Sequence, residues 1–192
     1  MEYINYIYPF TYYPTPSQRM WLMWTFRCHK KIYNDLLTHE LRRKRDGAPA
    51  TPSFLLSTIA KSYVLRPGFC GGDKEGYGEV AYSLQKAFER HEKPPFLEVE
   101  NPPYVYIVRN DGNCITHSGT HIVLPYLGEL KIAGLHPLPF GVEILKVRLS
   151  LTKAGEFKAF IAFRKKKHQT VPALPYHRLA KAKGGAISQA KE

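Results

Sequence analysis

The sequence predicts an α+β fold, a small antiparallel β-barrel with an inserted helical bundle of about three helices, and three observations carry that prediction. Residues 2–13, EYINYIYPFTYY, alternate and are rich in Tyr and Ile, the pattern of a strand. Residues 15–45 then keep one long helical period. Beyond Pro95 the period changes from 3.6 to 2, and short β-branched and aromatic runs alternate with turn residues. One strand, then helices, then several strands is most economically a barrel whose first strand is parted from the others by a helical insertion. The boundaries follow: 1–14 with 95–168 as the barrel, 15–94 as the helical insertion and 169–192 as a basic, disordered tail.

In chain order, Pro9 marks the first strand as an edge strand or one broken by a bulge, because proline gives no hydrogen to a ladder. The long helix opens on a capping box, with Thr15 as N-cap, Pro16 at the first helical position and Gln18 three residues after the cap. Leu22, Phe26, Tyr33, Leu36, Leu37 and Leu41 form its apolar stripe. Off that stripe lie Arg19, Arg27, Lys30 and Lys31, and Arg42, Arg43, Lys44 and Arg45 crowd the last turn, where positive charge suits the helix dipole. The same face can equally be the solvated side of an ordinary amphipathic helix. Asp46–Pro52 reads as a loop, Ser53–Leu65 as a second helix and Arg66–Glu79 as a glycine-dense surface connection. A third helix is expected over Glu79–Lys93 and is stopped by Pro94 and Pro95. Strands are expected in YVYIVRND, THIVLPYLGELKIAGL, VEILKVRLSLT and EFKAFIAFRKK.

Composition points to a polyanionic partner. A formal net charge of +12 on 192 residues favours nucleic acid, since each phosphate neutralised releases condensed counterions. Aromatics make up 13% of the chain, so rings on which bases could stack are present as well as rings for a core. No apolar run is long enough to span a bilayer and the start, MEYINYIYPF, lacks the pattern of a signal peptide, so the expected location is cytoplasmic. Cys28, Cys70 and Cys114 are odd in number and form no CxxC pair, which predicts free thiols and no zinc site.

Several constellations are weighed and set aside. RPGFCGGDKEGYGE has neither the GK[ST] ending nor the GxGxxG spacing of a phosphate loop. His117 and His121 have no partner acid or cysteine in register for a metal, and Cys114 and Ser118 have no nearby acid to complete a nucleophilic set. The tyrosines do not belong to a tyrosine transposase, which would need a histidine pair around one hydrophobic residue. RKKKHQ, Arg164 to Gln169, is a basic run directly after a strand and suits phosphate contact.

The chain also resembles a known family. YPTPSQ at Tyr13 to Gln18, TFRCHKKIYN at Thr25 to Asn34, SLQKAFER at Ser83 to Arg90, HIVLPYLGELKI at His121 to Ile132 and HPLPFGVEILKVRLSLTKAGEFKAFIAF at His136 to Phe163 are similar to the N-terminal half of TnpB-type proteins, the OrfB products of insertion sequences, relatives of type V CRISPR effectors. The resemblance implies a wedge-like barrel carrying a helical recognition insertion, the half that grips guide RNA and double-stranded DNA beside the target and does not cut. It implies nucleic-acid contacts at Arg27, Lys30, Lys31, Tyr33, Asn34, Arg42, Arg43, Lys44 and Arg45 on the long helix, at Gln85, Lys86 and Arg90 on the third, and at Lys165, Lys166 and Lys167 after the last strand. Tyr33 and Gln18 have structural roles open to them too, as core and cap, and Asn34 can bond to a neighbouring loop.

The departures set the functional expectation. In the family the nuclease region follows, built on three acidic residues that hold two metals, and it begins with GIDxG. Here TVPALPYHRLAKAKGG stands at that point and no aspartate follows Asp111. The family's basic patch after the third helix is replaced by PPFLEVENPP, where Glu98 and Glu100 take the place of positive charge. The expectation is a transposon-type nucleic-acid-binding protein without catalysis, metal or cofactor. Two alternatives stay open: a subunit of a split RNA-guided nuclease with its catalytic half on a separate chain, and a remnant or protein-interaction module.

Overall fold

The computed structural model describes residues 3–111, 114–134 and 136–166. The tail expected over 169–192, and Lys167, lie outside the described residues. Strand β1 is Tyr3–Tyr13; helices α1 (Pro16–Arg45), α2 (Ser53–Ser62) and α3 (Lys74–Arg90) follow, with a 3-10 turn at Tyr63–Leu65 after α2. Strands β2 (Tyr104–Arg109), β3 (Thr116–His117), β4 (His121–Leu124), β5 (Gly128–Ala133), β6 (Glu143–Leu151) and β7 (Phe157–Lys166) complete the α+β fold. No described helix is long and apolar enough to cross a membrane.

The seven strands form one antiparallel sheet in the order β2-β6-β7-β1-β5-β4-β3. It is curled into a half-barrel with β2 and β3 at its edges. Strand β1 lies inside the order, between β7 and β5, so its place in the sheet is central although the helices separate it from every partner in sequence. Pro9 is tolerated there because β1 pairs with β7 over Tyr3–Thr11 but with β5 over Thr11–Tyr13 only. At Pro9 the strand therefore has one neighbour, the local condition under which a missing N–H is harmless. Within the run expected as strand, β4 and β5 form a hairpin joined through Pro125–Leu127, with Tyr126 at φ 65° and Gly128 at φ 67°.

Two cores fill the molecule, and α1 serves both. Leu22 and Phe26 of its first half pack with Tyr8, Tyr104, Leu149 and Phe163 inside the half-barrel. Cys28, Ile32, Tyr33, Leu36 and Leu37 pack with α2 and α3 through Leu56, Tyr77, Val80 and Leu84. At 30 residues, α1 is about 45 Å long, enough to join the two units as a single rod. Its start is tied down by the capping box, Gln18 N–H to Thr15 Oγ1 at 3.3 Å and Thr15 N–H to Gln18 Oε1 at 2.9 Å. The Gln18 amide also donates to the carbonyls of Leu127 and Glu129 at 2.9 and 2.7 Å, locking the helix to the β4–β5 hairpin.

Helix α3 begins earlier than its glycines suggest. Asp73 caps it, accepting from Glu75 N–H at 3.0 Å, so the second half of the glycine-dense stretch is helical. Gly76 is present because α3 crosses β2 closely: a Cβ there would lie 2.8 Å from both the Tyr106 ring and the Asp73 carboxylate.

Candidate nucleic-acid interface

The cationic stripe of α1 divides into two parts with different surroundings. Near the middle of the helix, Arg27, Lys30 and Asn34 face the segment 97–101, which follows α3. The Arg27 guanidinium meets the Glu100 carboxylate at 2.7 Å. Lys30 is only 7% exposed; its ammonium donates to the Glu98 carbonyl at 2.8 Å and to the Asn101 carbonyl, and lies 4.3 Å over the Tyr104 ring. Burial pushes that ammonium below the ordinary lysine range, while Glu98 pulls it back up. Asn34 donates to the Leu97 carbonyl and accepts from the Leu97 N–H, both at 2.8 Å.

These contacts give three of the expected nucleic-acid residues partners within the protein and change the expected placement of Lys30 on the outer face. Lys30 is off the apolar stripe yet inside the protein, because the acidic loop folds back over it. Arg27, Lys30 and Asn34 together clamp that loop through Glu100, the Glu98 and Asn101 carbonyls and the Leu97 backbone. Tyr33 is 7% exposed and belongs to the helical core.

Toward its end, α1 is open. Lys31 and Arg42 are exposed and have no carboxylate partner among the described residues. Arg43 donates from Nε and Nη2 to the Pro49 carbonyl at 3.1 and 2.8 Å, which fixes the loop into α2. The loop is held from its other side by Glu40, which accepts from the Thr51 N–H and hydroxyl at 3.0 and 2.5 Å. Burial raises the Glu40 carboxyl, but the Thr51 and His39 hydrogen bonds outweigh it and hold the group below the usual range. Lys44 reaches Glu92 at 3.1 Å and Arg45 reaches Asp46 at 3.4 Å, both exposed pairs of small energetic weight.

The Lys44–Glu92 bridge brings the last turn of α1 beside the end of α3, where Arg90 and Lys93 are exposed. The last turn of α1, which carries Arg42, Arg43, Lys44 and Arg45, is thereby joined through Glu92 to the stretch that carries Arg90 and Lys93. Of the other expected contacts on α3, Gln85 accepts from the Ser53 hydroxyl at 2.7 Å and Lys86 pairs with Glu89 at 2.7 Å. Lys165 points inward, 8% exposed, with its ammonium 5.4 Å over Tyr6, and Lys166 is exposed at the end of β7.

Two groups were not singled out in the sequence. One is a buried polar cluster where α1, α3 and β2 meet: His29 lies edge-on to Tyr77 and Tyr106, and the Tyr106 hydroxyl donates to Asp73 at 2.8 Å. Burial drives the His29 imidazole down to about 3, against a hydrogen bond with the Val105 backbone, so it is neutral. The other is the pair of outward-facing cations of β6, Lys146 and Arg148, with Lys158 of β7, whose signal was the alternation in LKVRLS and FKAFIAFRKK. Among the described residues, no group of three or more His, Cys, Asp or Glu side chains could hold a metal ion. Compared with known protein families and with curated proteins, the chain matches none.

Proposed function

We propose that this chain is a cytoplasmic nucleic-acid-binding protein of the TnpB/OrfB type, equivalent to the wedge-plus-recognition half, which binds structured RNA and the double-stranded DNA beside it and does not cut. The observation that carries this reading is the cationic cluster where the ends of α1 and α3 meet. Arg42, Arg43, Lys44 and Arg45 occupy the last turn of α1, Arg90 the end of α3 and Lys93 the chain just beyond it, and the carboxylate partners of Lys44 and Arg45, Glu92 and Asp46, are exposed and weakly held. Cations at helix C-termini are also stabilised by the dipole, so the cluster persists without an internal anion. The order of one strand, three helices and six more strands in a curled antiparallel sheet supports the same reading, because a barrel interrupted after its first strand is what the resemblance implies.

The test is to purify the protein from its native cells, sequence the RNA that accompanies it and repeat the purification with Arg42, Arg45 and Arg90 changed to Ser. The expected result is one enriched structured RNA, retained by the wild type and lost by the variant. Binding measured against salt should lose slope by about 0.9 for each phosphate contact removed from a duplex. Bulk RNA that washes off equally from both proteins would overturn the proposal.

A further inference from the structure

The outer face of the half-barrel carries a second arrangement, separate from the helix cluster. Arg148 of β6 and Phe160 of β7 are directly opposed, and Pro9 of β1 faces Phe160 on its other side. In the next rows Lys146 opposes Ala162, which opposes Ile7, and Arg164 opposes Asn5. Alternation along the strands therefore brings Lys146, Arg148, Lys158, Arg164 and Lys166 to the same side as the rings of Phe160 and Tyr3. Phe160 is 37% exposed, Ile7 36% and Tyr3 45%. The two rings are each flanked by a guanidinium, Arg148 at 5.8 Å from the Phe160 centroid and Arg164 at 4.9 Å from that of Tyr3.

Charge on this face is one-sided. Among the outward positions of β1, β6 and β7, Glu143 is the single carboxylate, and it is held by Arg164 through two hydrogen bonds of 2.6 Å. Glu156 of the adjoining turn lies 3.5 Å from Lys158. Lys146, Arg148 and Lys166 have no carboxylate partner among the described residues. Exposed rings interleaved with unneutralised cations suit a polyanion whose bases are free to stack, because stacking needs a base face that a duplex keeps covered. Beside the rings, β1 presents Asn5 and Thr11, neutral groups able to bond a 2′-hydroxyl, the group by which a protein distinguishes RNA from DNA.

We propose that this outer sheet face binds single-stranded RNA, with a base stacked on Phe160 and the backbone held by Lys146 and Arg148. The proposal is independent of the helix cluster. It is tested by fluorescence anisotropy of the full chain at low salt with three labelled probes: a 12-nucleotide oligouridylate, the matching oligodeoxythymidylate and a blunt RNA duplex of the same length.

The oligouridylate should bind several-fold more tightly than either other probe. Phe160→Leu, which keeps apolar bulk but removes the ring, should weaken it roughly tenfold, and Phe160→Trp should preserve it. Lys146→Gln with Arg148→Gln should reduce the salt slope by about 1.4, two contacts on a single strand. Phe160→Leu should weaken oligouridylate binding by the same factor in the wild type and in a protein carrying Arg42→Ser and Arg90→Ser, so failure of the helix reading and failure of this one are read from different comparisons. Absence of binding, equal affinity for the DNA probe or the duplex, or full affinity in a Phe160→Leu protein with wild-type melting would each overturn the proposal.

Discussion

The Tyr106 hydroxyl donates to the Asp73 carboxylate at 2.8 Å, and that carboxylate also accepts the Glu75 N–H that starts α3. Tyr106 belongs to the sheet core and Asp73 to the helical insertion, so the bond is a polar weld between two apolar units. Burial and the Asp73 charge both raise the phenol well above its ordinary range, which keeps it a donor. Asp73→Ala removes the cap, about 1 kcal/mol, and leaves a buried hydroxyl unsatisfied, about 1–3 kcal/mol more. Tyr106→Phe leaves the cap in place and should cost only about 1 kcal/mol. Urea unfolding midpoints should separate the two variants in that order, and equal losses would remove the carboxylate from its double role.

Acid should destabilise the protein through His29. Its folded value near 3 lies below the unfolded value of about 6.5, so the unfolded chain binds the extra proton first. The stabilisation from keeping the ring neutral is complete above about pH 6.5 and falls by about 1.4 kcal/mol per pH unit as pH drops toward 3. His117, also lowered by burial, acts with the same sign. Stability measured from pH 7 to pH 5 should therefore decline in the wild type and decline less in His29→Gln. A parallel decline in both would show that His29 does not carry the proton.

The capping box of α1 is legible in TPSQ because every group in it lies within four residues. The change of period beyond Pro95 is legible for the same reason: alternation is a local property. Lys30 escapes such reading. Helical periodicity places it off the apolar stripe, but whether that direction meets solvent depends on a loop 68 residues away folding back on it. The cations of β6 and β7 illustrate the opposite case. Their alternation with Val147, Leu149, Ile161 and Phe163 is plain and marks them as outward, yet their arrangement beside Tyr3, Asn5 and Ile7 depends on the pairing of β7 with β1, more than 140 residues distant in sequence. Arg42–Arg45 were readable as a charge cluster, whereas their meeting with the end of α3 depends on a tertiary contact between Lys44 and Glu92.

The glycines of α3 separate a packing requirement from a helix penalty. In a helix interior glycine costs about 0.8–1.0 kcal/mol relative to alanine, so a replacement without steric cost should stabilise. A Cβ on Gly78 would meet the Lys61 side chain at 2.7 Å and the Ser57 hydroxyl at 2.9 Å; Lys61 is long and can shift. A Cβ on Gly76 would meet the Tyr106 ring and the Asp73 carboxylate, both buried and bonded to each other. Gly78→Ala should leave thermal stability unchanged or slightly raised, and Gly76→Ala should lower it by about 1–3 kcal/mol. Identical effects at the two positions would contradict the close approach of α3 to β2.

Lys30 and Arg42 are both helix-surface cations by sequence and should behave as opposites. Lys30→Met keeps the apolar stem over Tyr104 but leaves the Glu98 and Asn101 carbonyls without their donor, at a cost of about 1–2 kcal/mol. Its effect should be confined to the loop: faster amide exchange and protease cleavage between Pro94 and Pro103, with the salt dependence of nucleic-acid binding unaltered. Arg42→Ser touches no internal contact and should leave stability within about 0.5 kcal/mol of wild type. It should instead weaken duplex binding for all sequences alike, because a phosphate contact carries charge and no base information. If Lys30→Met lowered the salt slope while the loop stayed protected, its ammonium would be reaching nucleic acid, and the enclosure of Lys30 by the acidic loop would be wrong for the protein in solution.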